Sequence, residues 1–168
     1  MYPKNMKRLF VLRHAKSSWA DAGISDFERP LNDRGTAAAP LMGTVMCRRG
    51  FEPEAILSSP AERAKQTAAA AREAAGFAAG IRFDERIYEA STQTLISVLA
   101  ELGSERSALI VGHNPGMEGL VRALTGRSES MPTAALAVID LDIDDWASIK
   151  PGSGTLLEVI RPKDEQRA

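Results

Sequence analysis

Apolar residues enter this chain in two rhythms. Short unbroken runs, "RLFVL" (8–12), "EAILSS" (54–59), "SALIVG" (107–112), "AALAVIDLDI" (134–143) and "TLLEVI" (155–160), are rich in Ile, Val, Leu and Phe. Each is bounded by Gly, Ser, Pro or charge and reads as a strand, the first ones as strands buried on both faces. Between the runs the spacing becomes helical. "NDRGTAAAPLMGTVMCRR" (32–49) has Leu41, Val45 and Met46 on one face and two arginines at its end, where the helix dipole favours cations; Pro40 predicts an irregular or late start. "SPAERAKQTAAAAREAAG" (59–76) predicts a helix with Ser59 as N-cap, Pro60 at the first helical position and Gly76 as the stop. Leu95, Ile96, Leu99 and Leu102 predict a third helix over Thr92–Leu102, and "PGMEGLVRALTG" a fourth from Pro115 to Gly126. The stretch "DIDDWASIKPGSG" (142–154) reads as an irregular acidic loop with Trp146 as a packing anchor, and the tail "RPKDEQRA" (161–168) as frayed.

Alternating strands and helices predict an α/β domain, a three-layer α/β/α sandwich around a mostly parallel sheet. The last two strands follow each other closely enough for a hairpin, so one strand is expected to be antiparallel. Nothing in residues 1–168 marks an internal repeat, a low-complexity tract or a flexible linker, and a single domain is expected.

Composition narrows the function classes. With 44% hydrophobic and 26% charged residues the chain has the balance of a soluble globular protein. A net charge of -1 offers no general attraction for nucleic acid or anionic lipid, so any basic site must be local. No apolar stretch approaches the ~20 residues of a membrane span. "LFVL" is too short for the core of a signal peptide, and Cys47 is the one cysteine, so a cytoplasmic location is expected.

The two histidines fall at equivalent places. His14 follows "LFVLR" and His113 follows "ALIVG". In an open α/β sheet the carboxyl ends of strands line the crevice where ligands bind, so both imidazoles are expected on one crevice. Either alone could be a satisfied, partly buried side chain. A metal site is a rival reading, but neither histidine has a partner at HExxH or HxH spacing, and no metal or cofactor is expected. Arg13 adjoins His14, and "SSPAERAKQT" sets Arg63 in the first turn of a helix that follows a strand. Two guanidinium groups beside helix N-termini suit a multiply charged anion, and the expected ligand is a phosphoryl group.

Three motifs, "LRHAKS", "SSPAERAKQTA" and "VGHNPG", resemble the histidine phosphatase superfamily, which includes the phosphoglycerate mutases. "RPLNDRG", "YEAS" and the "GHNPG" form are most similar to its small bacterial branch, the SixA-type phosphohistidine phosphatases. The resemblance runs from Leu9 to about Leu124. It implies a phosphoglycerate mutase-like fold, here without room for a large cap insertion, and catalysis through a phosphohistidine intermediate. His14 would be the nucleophile, with Arg13, Arg63 and His113 binding the phosphoryl group, Ser17 at the place of a small hydroxyl residue, and Asn114 at the pocket rim. Where the wider family reads RHG, Ala15 and Lys16 follow His14; alanine keeps the backbone close, and Lys16 is expected to face solvent. Glu89 is the candidate proton donor, Glu85 a weaker one, and a solvated glutamate is the competing reading.

The implied substrate is a phosphorylated protein, above all one carrying phosphohistidine, because an imidazole leaving group with a pKa of about 6.5 needs little acid assistance. Small phosphoesters are the alternative. A phosphate-binding module without turnover is the third reading, disfavoured because binding alone needs no nucleophile.

Overall fold

The computed structural model describes residues 6–166. Its described strands are β1 (Lys7–Arg13), β2 (Ala55–Ser58), β3 (Ile81–Phe83), β4 (Ser107–Gly112), β5 (Leu136–Leu141) and β6 (Gly154–Ile160), in one sheet of order β3-β2-β4-β1-β5-β6. β3, β2, β4 and β1 pair in parallel, whereas β5 pairs antiparallel with both β1 and β6. One strand, β5, therefore runs against the rest, and the reversal comes from the expected hairpin.

Side chains of β1 alternate between two cores. Leu9 and Val11 join a cluster with Leu95, Leu99, Leu120 and Leu124, while Phe10 and Leu12 join one with Met42, Met46, Ala64 and Ala68. Those partners lie on four helices, α1 (Asp33–Arg48), α2 (Glu62–Ala75), α3 (Thr92–Ala100) and α4 (Gly116–Thr125). α1 and α2 cover one face of the sheet and α3 and α4 the other, which is why the central strands read as continuous apolar runs. Each fully buried Leu, Ile, Phe or Met contributes about 1.5–3 kcal/mol from burial. Between α1 and α2 the backbones nearly touch: a Cβ added to Gly43 would overlap the carbonyl of Ala71, so only glycine admits that approach.

Several boundaries differ from expectation. α1 starts cleanly after Asn32, whose side chain accepts from the Gly35 N–H at 2.9 Å, and Pro40 sits inside it. The fully buried Ala39 and Met42 on either side of Pro40 supply the packing that outweighs a proline cost of about 3 kcal/mol. α2 begins at Glu62 after Ala61, with no side-chain cap; Ser59 lies two residues ahead of that position, and its hydroxyl accepts from Ala61 N–H at 3.2 Å and lies 2.8 Å from His113 Nε2. α3 ends at Ala100, two residues early. β3 was not anticipated, since an edge strand of three residues with Arg82 and Phe83 exposed carries no apolar run. In the tail, Pro162–Glu165 form a short helical turn, α5, with Pro162 buried and Arg161 bonded to the Ser130 carbonyl at 2.8 Å, so 161–166 are ordered; the final two residues lie outside those described. Trp146 is buried, and its indole N–H donates to the Glu105 carbonyl at 2.6 Å. No helix among the described residues is long and apolar enough to cross a membrane.

Candidate active site

The register of three neighbouring strands builds the site. Arg13 at the end of β1 pairs with Gly112 at the end of β4, and the ladder continues one step beyond, where His14 N–H donates to the Gly112 carbonyl at 2.9 Å. On the other side of β4, Ser59 N–H donates to the Val111 carbonyl at 3.0 Å. His14, His113 and Ser59 thus leave adjacent strands at the same edge, and the two imidazole rings lie with centroids 5.1 Å apart.

His14 is 6% exposed, and its Nδ1 lies 2.7 Å from the Ala15 carbonyl oxygen. A carbonyl only accepts, so Nδ1 carries the hydrogen and Nε2 keeps its lone pair. Burial, and secondarily the cations Arg63, Arg13 and Arg29, push its pKa down to about 4, against the opposing hydrogen bond to Ala15. The ring is neutral at neutral pH, as a nitrogen nucleophile requires. Ala15 is itself fully buried, and its N–H donates to Thr67 Oγ1 at 2.9 Å, which in turn donates to the Arg63 carbonyl at 2.7 Å. One hydroxyl on α2 therefore ties the His14 loop to the arginine turn. The "LNDRG" segment closes in from the other side: Asn32 N–H donates to the Lys16 carbonyl at 2.9 Å, and a Cβ on Gly35 would overlap that same carbonyl.

Arg63 is 6% exposed. Its two terminal nitrogens donate to Asp26, one to the carbonyl oxygen at 2.7 Å and one to the carboxylate at 3.0 Å. Asp26 also accepts from Arg29 Nε at 3.1 Å and from the Tyr88 hydroxyl at 2.6 Å. The Tyr88 hydrogen bond, with the help of Arg63 and Arg29, holds the Asp26 pKa down to about 2; burial and the facing carboxylate push Tyr88 up to about 12. Arg13 donates through a terminal nitrogen to the Met131 carbonyl at 3.0 Å. His113 Nε2 lies 2.8 Å from Ser59 Oγ, and the Tyr88 ring stands edge-on to it at 5.4 Å. Burial, then the neighbouring His14 and Arg63, lower its pKa to about 3, so His113 too is neutral in this structure; a bound phosphate dianion acts in the opposite direction.

Three buried nitrogens lack a hydrogen-bond partner among the described residues: Arg13 Nε, Arg63 Nε and His113 Nδ1. A buried polar atom left unpaired costs about 1–3 kcal/mol, and here three belong to side chains that line one crevice with His14.

That crevice has two adjoining compartments. One, of about 290 Å³, is lined by Arg13, His14, Ser17, Arg63 and His113 among others. The other, of about 310 Å³, shares Arg63, His113 and Asn114 and adds Asp26 and Glu89. Ser17 accepts from Arg29 at 2.7 Å and keeps its own hydroxyl hydrogen to donate. Asn114 lines both compartments, but its amide nitrogen already donates to Glu118 at 2.8 Å and to the Met131 carbonyl at 3.0 Å. Its observed work is to hold the 128–133 segment over Arg13. Glu89 is exposed and sits at φ 53, a left-handed conformation uncommon outside glycine. Lys16 is exposed, as expected, and Glu85 is exposed and lines neither compartment.

Asp26, Arg29, Ser59, Thr67 and Tyr88 escaped the sequence reading. Ser59 looks like a helix cap and Thr67 like one more polar residue in an alanine-rich helix. Asp26 and Arg29 lie in "ISDFERP", which has no periodicity to read.

Residues 9–95 match the family described as "histidine phosphatase superfamily (branch 1)". The chain belongs to the histidine phosphatase superfamily. An uncharacterised protein of Mycobacterium tuberculosis is 34% identical over 90% of this chain and all of its own. A crystal structure from Agrobacterium tumefaciens, described as that of a candidate phosphohistidine phosphatase, SixA, is similar at 32% identity, with a TM-score of 0.82 over 96% of this chain and 100% of that one. The protein histidine phosphatase SixA complexed with tungstate is 25% identical with a TM-score of 0.82, covering 94% of this chain and 98% of the other. The SixA-type branch, the phosphoglycerate mutase-like fold and a phosphatase of this superfamily follow from these matches. Arg13, His14 and Arg63 lie inside the matched 9–95 segment; His113 lies beyond it.

Proposed function

We propose that the protein removes phosphate from phosphohistidine on a protein, through a phosphohistidine intermediate on its own His14. The observation that carries this reading is the neutral, Nδ1-protonated His14 set among three buried nitrogens without partners. His14 Nε2 attacks phosphorus in line, forming a P–N bond as the bond to the leaving imidazole breaks. Arg13, Arg63 and His113 hold the equatorial oxygens, with Ser17 able to donate from the rim. Departing imidazole takes its proton from solvent. Water then attacks phospho-His14, releasing inorganic phosphate and restoring the neutral ring. A bound phosphate dianion favours the charged form of His113.

Phosphohistidine is favoured over alkyl phosphates by the leaving-group side. Its acidic groups are Asp26, held ionised by Tyr88, Arg63 and Arg29, and the exposed Glu89. Neither is a buried carboxylic acid of the kind an alkoxide leaving group needs. The likeness to the SixA structures supports the same substrate class. A second reading, small phosphoesters, rests on Glu89 lining the compartment next to His14.

The test is an alkaline, denaturing quench experiment with a ³²P-phosphohistidine peptide. A base-stable, acid-labile phosphoenzyme is expected on the wild type and none on His14→Ala. Full turnover by His14→Ala overturns the mechanism; a kcat/KM for sugar phosphates above that for the peptide overturns the substrate assignment.

A further inference from the structure

The largest cavity described, about 410 Å³, lies outside the catalytic crevice. Its walls come from the start of α1 (Arg34, Ala37, Ala38), the segment Pro132–Thr133, and the C-terminal turn (Pro162, Lys163, Gln166). Lys16 and Thr133 line both this groove and the compartment that holds His14, so the two are continuous at that edge. Three cations, Lys16, Arg34 and Lys163, line the groove, and no Asp or Glu does. All three are exposed, and among the described residues none has a salt bridge or a side-chain hydrogen bond. On a chain with a net charge of -1 this is a local positive field.

We propose that this groove binds an acidic segment of the phosphorylated protein substrate, next to the phosphorylated residue; the assignment rests on the phosphoprotein reading above. The cations come from three separate segments, the loop after β1, the start of α1 and the C-terminal turn, and the apolar Ala37, Ala38 and Pro132 line the same groove. Three cations from separate segments, with no carboxylate among them, suit successive carboxylates on one chain. A single phosphate group wants converging donors, as Arg13, Arg63 and His113 provide at the catalytic end. Entry through the Lys16–Thr133 edge lets one polypeptide lie in the groove while its phosphorylated side chain reaches His14. The groove adds affinity for the partner and leaves the chemistry to the crevice.

Arg34 and Lys163 line the groove and not the catalytic compartments, so Arg34→Glu/Lys163→Glu is the informative variant. Its effect is read on two phosphohistidine peptides, one flanked by glutamates and one by glutamines, and on phosphoramidate. For the glutamate peptide, KM is expected to rise about tenfold with kcat unchanged, and the wild-type advantage of that peptide to shrink as salt increases. The glutamine peptide and phosphoramidate are expected to be unaffected. An unchanged KM for the glutamate peptide, or an equal rise for both peptides, overturns the proposal. If the wild type hydrolyses neither peptide, the substrate assignment fails. Fluorescence anisotropy of an unphosphorylated glutamate peptide then still decides the groove: binding lost in the double variant upholds it, and equal binding overturns it. Weaker inhibition by pyrophosphate with no change for the peptide assigns the groove to a second phosphate and also overturns it.

Discussion

The two sides of the catalytic crevice are built differently. The side that holds His14, Arg13 and His113 grows out of β1 and β4, is almost wholly buried, and is pinned by backbone ladders and by Thr67 and Ser59. The opposite side, Asp26 and residues 84–91, consists of single turns, and its polar side chains are mostly exposed and joined by ion pairs. Strand-end groups are held by many cooperative bonds, so they suit the invariant part of the reaction, the grip on phosphorus. Turns anchored by a few surface contacts change easily, so discrimination between leaving groups belongs there.

That comparison can be broken by substitution. Arg13→Ala, which removes a cation from the strand-end side, is expected to lower kcat by about 10²–10³-fold on every substrate, measured by steady-state phosphate release. A substrate-dependent loss would erase the distinction. Glu89→Gln tests the other side: hydrolysis of an alkyl phosphoester is expected to fall by about 10²-fold and that of a phosphohistidine peptide by less than about 3-fold. Equal losses would show that Glu89 serves binding or the turn rather than proton donation. Asp26→Ala removes the partner that orients Arg63; kcat/KM is expected to fall about tenfold, with partial recovery in Asp26→Asn, whose carbonyl can still accept from the guanidinium.

The smallest effect concerns stability against pH. His14 and His113 have pKa values of about 4 and about 3 in the fold, against 6.5 when free. The unfolded chain therefore binds more protons as pH falls below 6.5, and stability declines from there towards about 4 for His14 and about 3 for His113. Asp26, at about 2 against 3.8, contributes stability that is present above 3.8 and is lost as pH falls towards 2. Thermal melts are expected to show a lowering of Tm by several degrees between pH 6.5 and 4 that His14→Gln reduces. Asp26→Asn should leave that window unchanged and alter only the part below 3.8. If Asp26→Asn instead flattens the upper window, the two sides are coupled more closely than their construction implies.

The described strands other than β3, the order of helices, the single reversed strand and the positions of Arg13, His14, Arg63 and His113 are legible in the chain. Each depends on local pattern: apolar runs, helical spacing, and the rule that strand carboxyl ends face the ligand. β3 was invisible because a short edge strand buries too little to need an apolar run. Ser59 reads as a helix cap, but its hydroxyl meets both Ala61 N–H ahead of α2 and the ring of His113, and only packing brings that ring to it. Asp26 and Tyr88 are 62 residues apart, yet share one hydrogen bond over Arg63. The basic groove joins Arg34 to Lys163 across nearly the whole chain. The sequence by itself determined the sheet, its helical layers and the chemical type of the site, because those follow from short-range periodicity and residue type. The tautomer of His14, the anchoring of Arg63 and the groove beside the crevice were decided only by tertiary structure, because each depends on atoms brought together from segments far apart along the chain.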